Sequence, residues 1–383
     1  MSLLRAAELL KDEPAVLAAI GRASHSVAVP DPARAVTIAS IVTLGERRPV
    51  IVAVPSGIEA ERLERDLATL LGPDEVDAFP AWETLPFERV SPAIETMGRR
   101  SRVLSSLASP NPPAVVVAPI RALAQRLAPD AHIDPLIIGA GDVIDLHDTV
   151  ERVVALGYRR DVQVEHRGDV AVRGSILDVY PSTADSPVRI DLWGDEVDRL
   201  SEFAISDQRS TAAVSEVEIF PCRELVPTER VRERAGALVG AEPWGREHWD
   251  RMAEGQLFDG MESWLPWLAE REEVIFDRIA ADALVVVVEP KRCRDRAADI
   301  LAEEADLAAS LSRTWGIEEE QRFPQLHVEF ERLLALTDAP MVAITGVPEN
   351  PEVPVMAASG WDPGSGRMAD PVSYTHLRAH ETT

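Results

Sequence analysis

The stretch from Tyr158 to Asp207 constrains the fold most, because apolar and polar residues alternate with period two between turn-forming glycines. Neighbouring side chains of a strand point to opposite faces of a sheet, so register decides which residues meet solvent. Val170, Val172, Gly174 and Ile176 share one parity, and Arg173 has the other. Further on, Val188, Ile190 and Leu192 oppose Arg189, Asp191 and Trp193. With the valine and isoleucine parity on a core, Arg173, Arg189 and Trp193 are expected together on the wet face of an antiparallel sheet. Turns are expected at Arg167-Gly168-Asp169 and at Gly194-Asp195. Two readings of that face stay open. It is a partner surface, since Trp and Arg supply rigid contact area with a polar or charged end; or the Trp covers a sheet edge while the arginines pair with Asp191, Asp195 or Glu196.

The flanking sequence has a different grammar. Pro49–Val54, Ala114–Ala118, Ala283–Val288 and Met341–Thr345 are continuous apolar runs, the pattern of parallel strands buried on both faces. Between them lie helical patterns: one or two short helices over residues 2–22, interrupted near Pro14; Gly57–Leu71 with Leu63, Leu67, Leu70 and Leu71 on one stripe; a helix after Pro92; another around Arg121 to Leu127; and a surface helix over Ala298–Arg313. Strand-helix alternation predicts a doubly wound α/β unit in the first third. An extended segment at Ile133–Ile138, a helix near Thr149–Leu156 and the alternating stretch then read as an inserted α+β module. At 383 residues the chain exceeds what one core usually supports, so several domains are expected.

Chemistry is sparse. After the first apolar strand, where an ATPase places G-x-x-x-x-G-K-[ST], the chain has Pro30, Asp31, Pro32, Ala33 and Arg34. Cradling phosphate needs glycine N–H groups, a lysine and a hydroxyl; two prolines remove donors and Asp31 repels the anion. Glu289, at the end of a strand, stands where a magnesium-holding carboxylate would, and without that loop reads as a solvated strand-end acid. Trp244, Trp249, Phe258, Trp264 and Trp267 read as packing residues, with too few interleaved cations for a stacking platform. A formal charge of -26 opposes nonspecific binding to a phosphate backbone. Cys222 and Cys293 lack metal-ligand spacing and read as small core residues, so no metal site is expected. No apolar stretch reaches membrane-spanning length and no signal-peptide core is evident, so the expected location is cytoplasmic. Gly364 and Gly366 carry no phosphate-binding context, and Val372–Thr383 reads as a non-native-looking tail whose His376 and His380 are spaced by accident.

Four blocks, AFPAWETLPFERVSP, HRGDVAVRGSILDVYP, VRIDLWGDEVDRLSEFAISDQRS and GQLFDGMESWLPWL, resemble in order the N-terminal, UvrB-like part of the bacterial transcription-repair coupling factors (Mfd). The resemblance implies a degenerate helicase-like (RecA-like, P-loop-derived) unit formed by residues 1–128 and 216–350, with the inserted module 129–215 standing apart. Residues 351–371 are then a linker or the start of a further domain. In that family the module binds UvrA through two arginines and an aromatic, which correspond to Arg173, Arg189 and Trp193. The implied function is recruitment of UvrA and the excision-repair machinery to RNA polymerase stalled at a lesion. Polymerase binding, the ATP- and magnesium-dependent motor on double-stranded DNA, and a C-terminal domain that contacts this region would lie beyond residue 383, making the chain an expected fragment without catalytic residues or a cofactor of its own. The rival is UvrB itself, an ATP-dependent damage verifier. Pro30–Arg34 and the short, tyrosine-poor segment after Phe79 oppose it.

Overall fold

The computed structural model describes residues 3–21, 25–131, 133–315, 323–348, 350–356, 361–362 and 367–368. Gly364, Gly366 and the tail 372–383 lie outside the described residues.

The chain opens with a 3-10 turn at Leu3–Leu10 and α1 (Pro14–Ile20), whose proline sits at the helix start, where a missing N–H costs nothing. Strand β1 (His25–Ala28) leads through a 3-10 turn at Asp31–Ala33 into α2 (Arg34–Leu44). β2 (Val50–Val54) is followed by α3 (Gly57–Leu71), capped by Ser56 Oγ accepting from Glu59 N at 3.4 Å. β3 (Val76–Ala78), α4 (Ile94–Ala108), β4 (Val115–Pro119) and α5 (Ile120–Ala124) complete this part. The last helix is shorter than the apolar pattern suggests, because Gln125 leaves it to form a bridge with His327.

The middle segment begins with β5 (Leu136–Gly139) and α6 (Leu146–Ala155). Then come β6 (Arg159–Arg160), β7 (Asp169–Arg173), β8 (Ile176–Val179), β9 (Val188–Trp193), β10 (Glu196–Phe203) and β11 (Ser210–Val214), which form one sheet in reverse chain order from β11 to β6. β12 (Glu216–Ile219) closes back antiparallel on β5. Gly174 and Gly194 start the two tight hairpin turns with φ of 63° and 65°, values that favour glycine.

After the module come α7 (Glu229–Ala241), α8 (Arg246–Ala253), α9 (Leu265–Leu268), β13 (Leu284–Val288), α10 (Pro290–Trp315), α11 (Phe330–Leu334) and β14 (Met341–Thr345). β13 and β14 return to the first sheet, an all-parallel array in the order β1-β14-β13-β2-β4-β3. Both faces are covered, which is why its strands read as unbroken apolar runs. Val50, Val52 and Val54 pack with α2 and α3, while Ile51 and Ala53 belong to the opposite core with buried Trp249, Trp264 and Trp267. The indole cluster is packing, as its lack of interleaved cations predicts.

The module does not stand apart. Ile94 of α4 packs on the module's core, and a Cβ at Gly98 would overlap Ser182. Tyr158 Oη donates to Phe220 O at 2.9 Å and accepts from Ser182 N at 3.0 Å, fixing the chain where it leaves the module. Just beyond the exit, Glu224 is buried and holds Arg100 of α4 through bonds of 2.7 and 2.9 Å and Trp82 Nε1 at 2.6 Å. Unpairing such a buried ion pair costs about 3–5 kcal/mol, so α4 and the module are joined by more than their peptide connections.

Candidate functional site

Register defines one face of the module's sheet. Val170, Val172, Leu177, Val179, Val188, Ile190 and Leu192 enter the core. Shifting β9 by one residue would expose Val188, Ile190 and Leu192, and each buried aliphatic side chain contributes roughly 1.5–3 kcal/mol, so the register is strongly held. The opposite face carries Arg173, Arg189 and Trp193, as the alternation predicts. Ile176 departs from that prediction. The turn at Gly174-Ser175 pairs it with Arg173 and Asp191, on the arginine face, because a two-residue hairpin resets parity that a single continuous strand would keep.

The three residues are not equivalent. Asp178, opposite Arg189 in register, is buried and holds it through Arg189 Nε at 2.7 Å and Nη2 at 2.9 Å. Arg189 Nη1 also donates to Gln208 O at 3.0 Å, and its guanidinium lies 4.7 Å from the centre of the Phe203 ring. Hydrogen bonding to Asp178 raises the Arg189 pKa further above its ordinary value. Gln208 sits at φ 62° and donates from Nε2 to Val164 O and Ile205 O, so it lays residues 204–209 beside the arginine. The Arg189 side chain is therefore only 14% exposed.

Arg173 reaches the same Asp178 oxygen as Arg189 Nη2 but keeps its side chain 42% exposed. Trp193 is 83% exposed at the end of β9. Neither arginine uses Asp191, Asp195 or Glu196, the partners the charge-pairing reading offered. Asp191 instead takes Arg199 at 2.8 Å. Nor does Trp193 cover a sheet edge, since β9 is flanked by β8 and β10. Asp178 escaped sequence reasoning although it alternates with Leu177 and Val179; only the hairpin register shows which arginine it meets.

The second place to examine is the crevice at the C-terminal ends of the parallel strands, where open α/β sheets bind ligands. Here Arg34, at the start of α2, bonds Asp31 at 2.9 Å and pairs with Glu289, which follows β13. Glu289 Oε1 also accepts from Gly346 N at 2.9 Å, and Glu289 has φ 52°. It is not a solvated strand-end acid: its side chain is 22% exposed and ties the ends of three strand-loop connections together. A small cleft beside this pair is lined by Asp31, Arg34, Glu59, Arg62 and Asp66, three acids and two cations.

Cys222 and Cys293 are buried, and burial pushes both thiols up to about 12. Among the described residues no cluster of three or more His, Cys, Asp or Glu is arranged to hold a metal, and no helix is long and apolar enough to cross a membrane. What the geometry offers is an unevenly exposed face whose register is fixed by the core beneath it.

Residues 136–225 match the family described as the UvrB interaction domain, which takes in β5 to β12 and Glu224 of the α4 joint. The chain thus carries a UvrB interaction domain beside a parallel-sheet α/β unit. It is further similar to the transcription-repair-coupling factor of Mycobacterium tuberculosis, 37% identical over 279 residues that cover 67% of this chain and 22% of the relative. The namesake proteins of Haemophilus influenzae (32% identical; 62% and 21% covered) and Bacillus subtilis (25% identical; 77% and 26% covered) are also similar. The chain spans about a quarter or less of these relatives.

Proposed function

We propose that this chain recruits UvrA, and with it the nucleotide excision repair machinery, through the arginine face of its module. The observation that carries the reading is a largely exposed Trp193 on the same sheet face as a half-exposed Arg173, with the register of that face fixed by the core beneath it. Arg173 and Trp193 make the contact, and Arg189 anchors Asp178, which Arg173 also reaches. Residues 1–128 and 216–350 are read as two parts of one degenerate RecA-like unit that presents the module. That reading is supported by the return of β13 and β14 to the sheet begun by β1 to β4.

A UvrB-like damage-verifying ATPase fits less well. The place where phosphate and magnesium would sit holds the Arg34–Glu289 pair. Coupling to stalled RNA polymerase and ATP-driven movement on double-stranded DNA are assigned to parts of the relatives outside the matched stretch, as is any C-terminal domain that docks back on this region. The cytoplasm is the proposed location.

The experiment is a titration of purified UvrA against the wild-type chain and against Arg173→Ala, Arg189→Ala and Trp193→Ala. Loss of a hot-spot side chain typically weakens binding by ~2 kcal/mol, about thirtyfold. Unchanged affinity in all three variants removes the assignment.

A further inference from the structure

The tip of the β9–β10 hairpin carries more than Trp193. Residues 141–144 run beside the start of β10, with Gly141 N donating to Val197 O, Val197 N to Asp142 O and Ile144 N to Asp195 O, each at 2.8 Å. This places Val143 opposite Glu196, which is itself opposite Trp193. Residues paired across a sheet project to the same face, and adjacent strands lie ~4.8 Å apart, so the three form a row roughly 10 Å wide. Val143 is 78% exposed. Two large apolar side chains on one lateral row form a patch rather than scattered surface residues. Asp142, Asp195 and Asp198, neighbours of this row in the chain, are all exposed, and Arg199, a cation close by in the chain, is paired with Asp191.

We propose that Val143 and Glu196 complete a docking patch with Trp193, and that the surface meeting this tip is an apolar hollow with a basic rim. The proposal rests on the UvrA reading and names the chemistry of the UvrA surface involved. Val143 comes from a different segment of the module, 50 residues before Trp193, so the patch exists only when residues 141–144 are paired to β10. A second copy of this chain is a poor occupant, because acidic tip would face acidic tip. The arginine end of the same face asks for the opposite sign, so the face is polar along its length and specifies one orientation of its partner.

The test titrates UvrA, at low and raised salt, against the wild type, Val143→Thr, Val143→Asp, Glu196→Gln and Arg173→Ala. A charge placed in the apolar hollow is expected to weaken binding about thirtyfold or more. Val143→Thr, which keeps the branched shape and the backbone pairing, is expected to weaken it about fivefold. Glu196→Gln should mainly flatten the salt dependence of the association rate. Thermal melting checks that the tip stays folded; if Val143→Asp disturbs it, Val143→Thr decides. Wild-type affinity in both Val143 variants and unaltered salt dependence in Glu196→Gln, with Arg173→Ala still weakened, overturn the patch and leave the UvrA assignment standing. Failure of the wild type itself to bind UvrA overturns both.

Discussion

Both candidate sites in this molecule set arginine against a carboxylate, and they put the pair to opposite uses. In the strand-end crevice, Asp31 and Glu289 together hold Arg34 at the position where an α/β sheet usually opens to a ligand. On the module face, one buried acid, Asp178, is shared by two arginines, so Arg189 is committed while Arg173 keeps half of its surface open. The contrast shows that arginine content does not make a binding surface. What matters is how much of the guanidinium stays exposed once its internal partners are made.

The largest expected effect separates the pairs by burial. Asp178→Ala leaves two neighbouring cations without their buried partner and should destabilise the module by about 3–5 kcal/mol, read as a lowered midpoint in urea unfolding. A change under about 1 kcal/mol would mean that Asp178 does not organise the face. Next, Arg173→Ala and Trp193→Ala should each weaken UvrA binding about thirtyfold while shifting stability by no more than about 0.5 kcal/mol. Arg189→Ala should lower both binding and stability; a binding loss with unaltered melting would make it a contact residue instead of an anchor.

At the crevice, Glu289→Gln should cost about 1–2 kcal/mol, less than Asp178→Ala, because the Arg34 and Glu289 side chains are 13% and 22% exposed and partly screened. Tight, magnesium-dependent ATP binding by the wild type would break the comparison at this end. The smallest effect concerns pH. Burial lowers the pKa of His327 below the ordinary 6.5, against the opposing pull of Glu304. The unfolded chain then takes up the proton first, so stability should fall as pH drops below about 6.5 and this part of the slope should vanish in His327→Gln. An identical slope in both proteins would show that His327 does not contribute.

Much of this architecture is legible in the residues because periodicity reports burial directly. The unbroken runs at 50–54 and 284–288 have both faces covered, and the alternation at 188–193 has one. Tight turns limit that legibility, since the two residues at Gly174-Ser175 sent Ile176 to the arginine face. Pairing between distant segments is illegible altogether. Residues 30–34 and Glu289 hold positions that meet in one crevice of an ATPase, but nothing announces the ion pair between Arg34 and Glu289, 255 positions apart, and nothing near Trp193 announces Val143. The fit of the module on α4 likewise depends on Gly98 leaving room for Ser182, a contact without a periodic signature.

Hydrogen exchange of the chain with and without UvrA tests the central claim most directly, because it reads both regions in one experiment. The account predicts slowed exchange at the exposed turn amides of residues 174–175 and 194–195 on adding UvrA, with Asp31, Ala33, Arg34 and Gly346 unchanged. Protection confined to the strand-end crevice, with the turns exchanging as before, would contradict it.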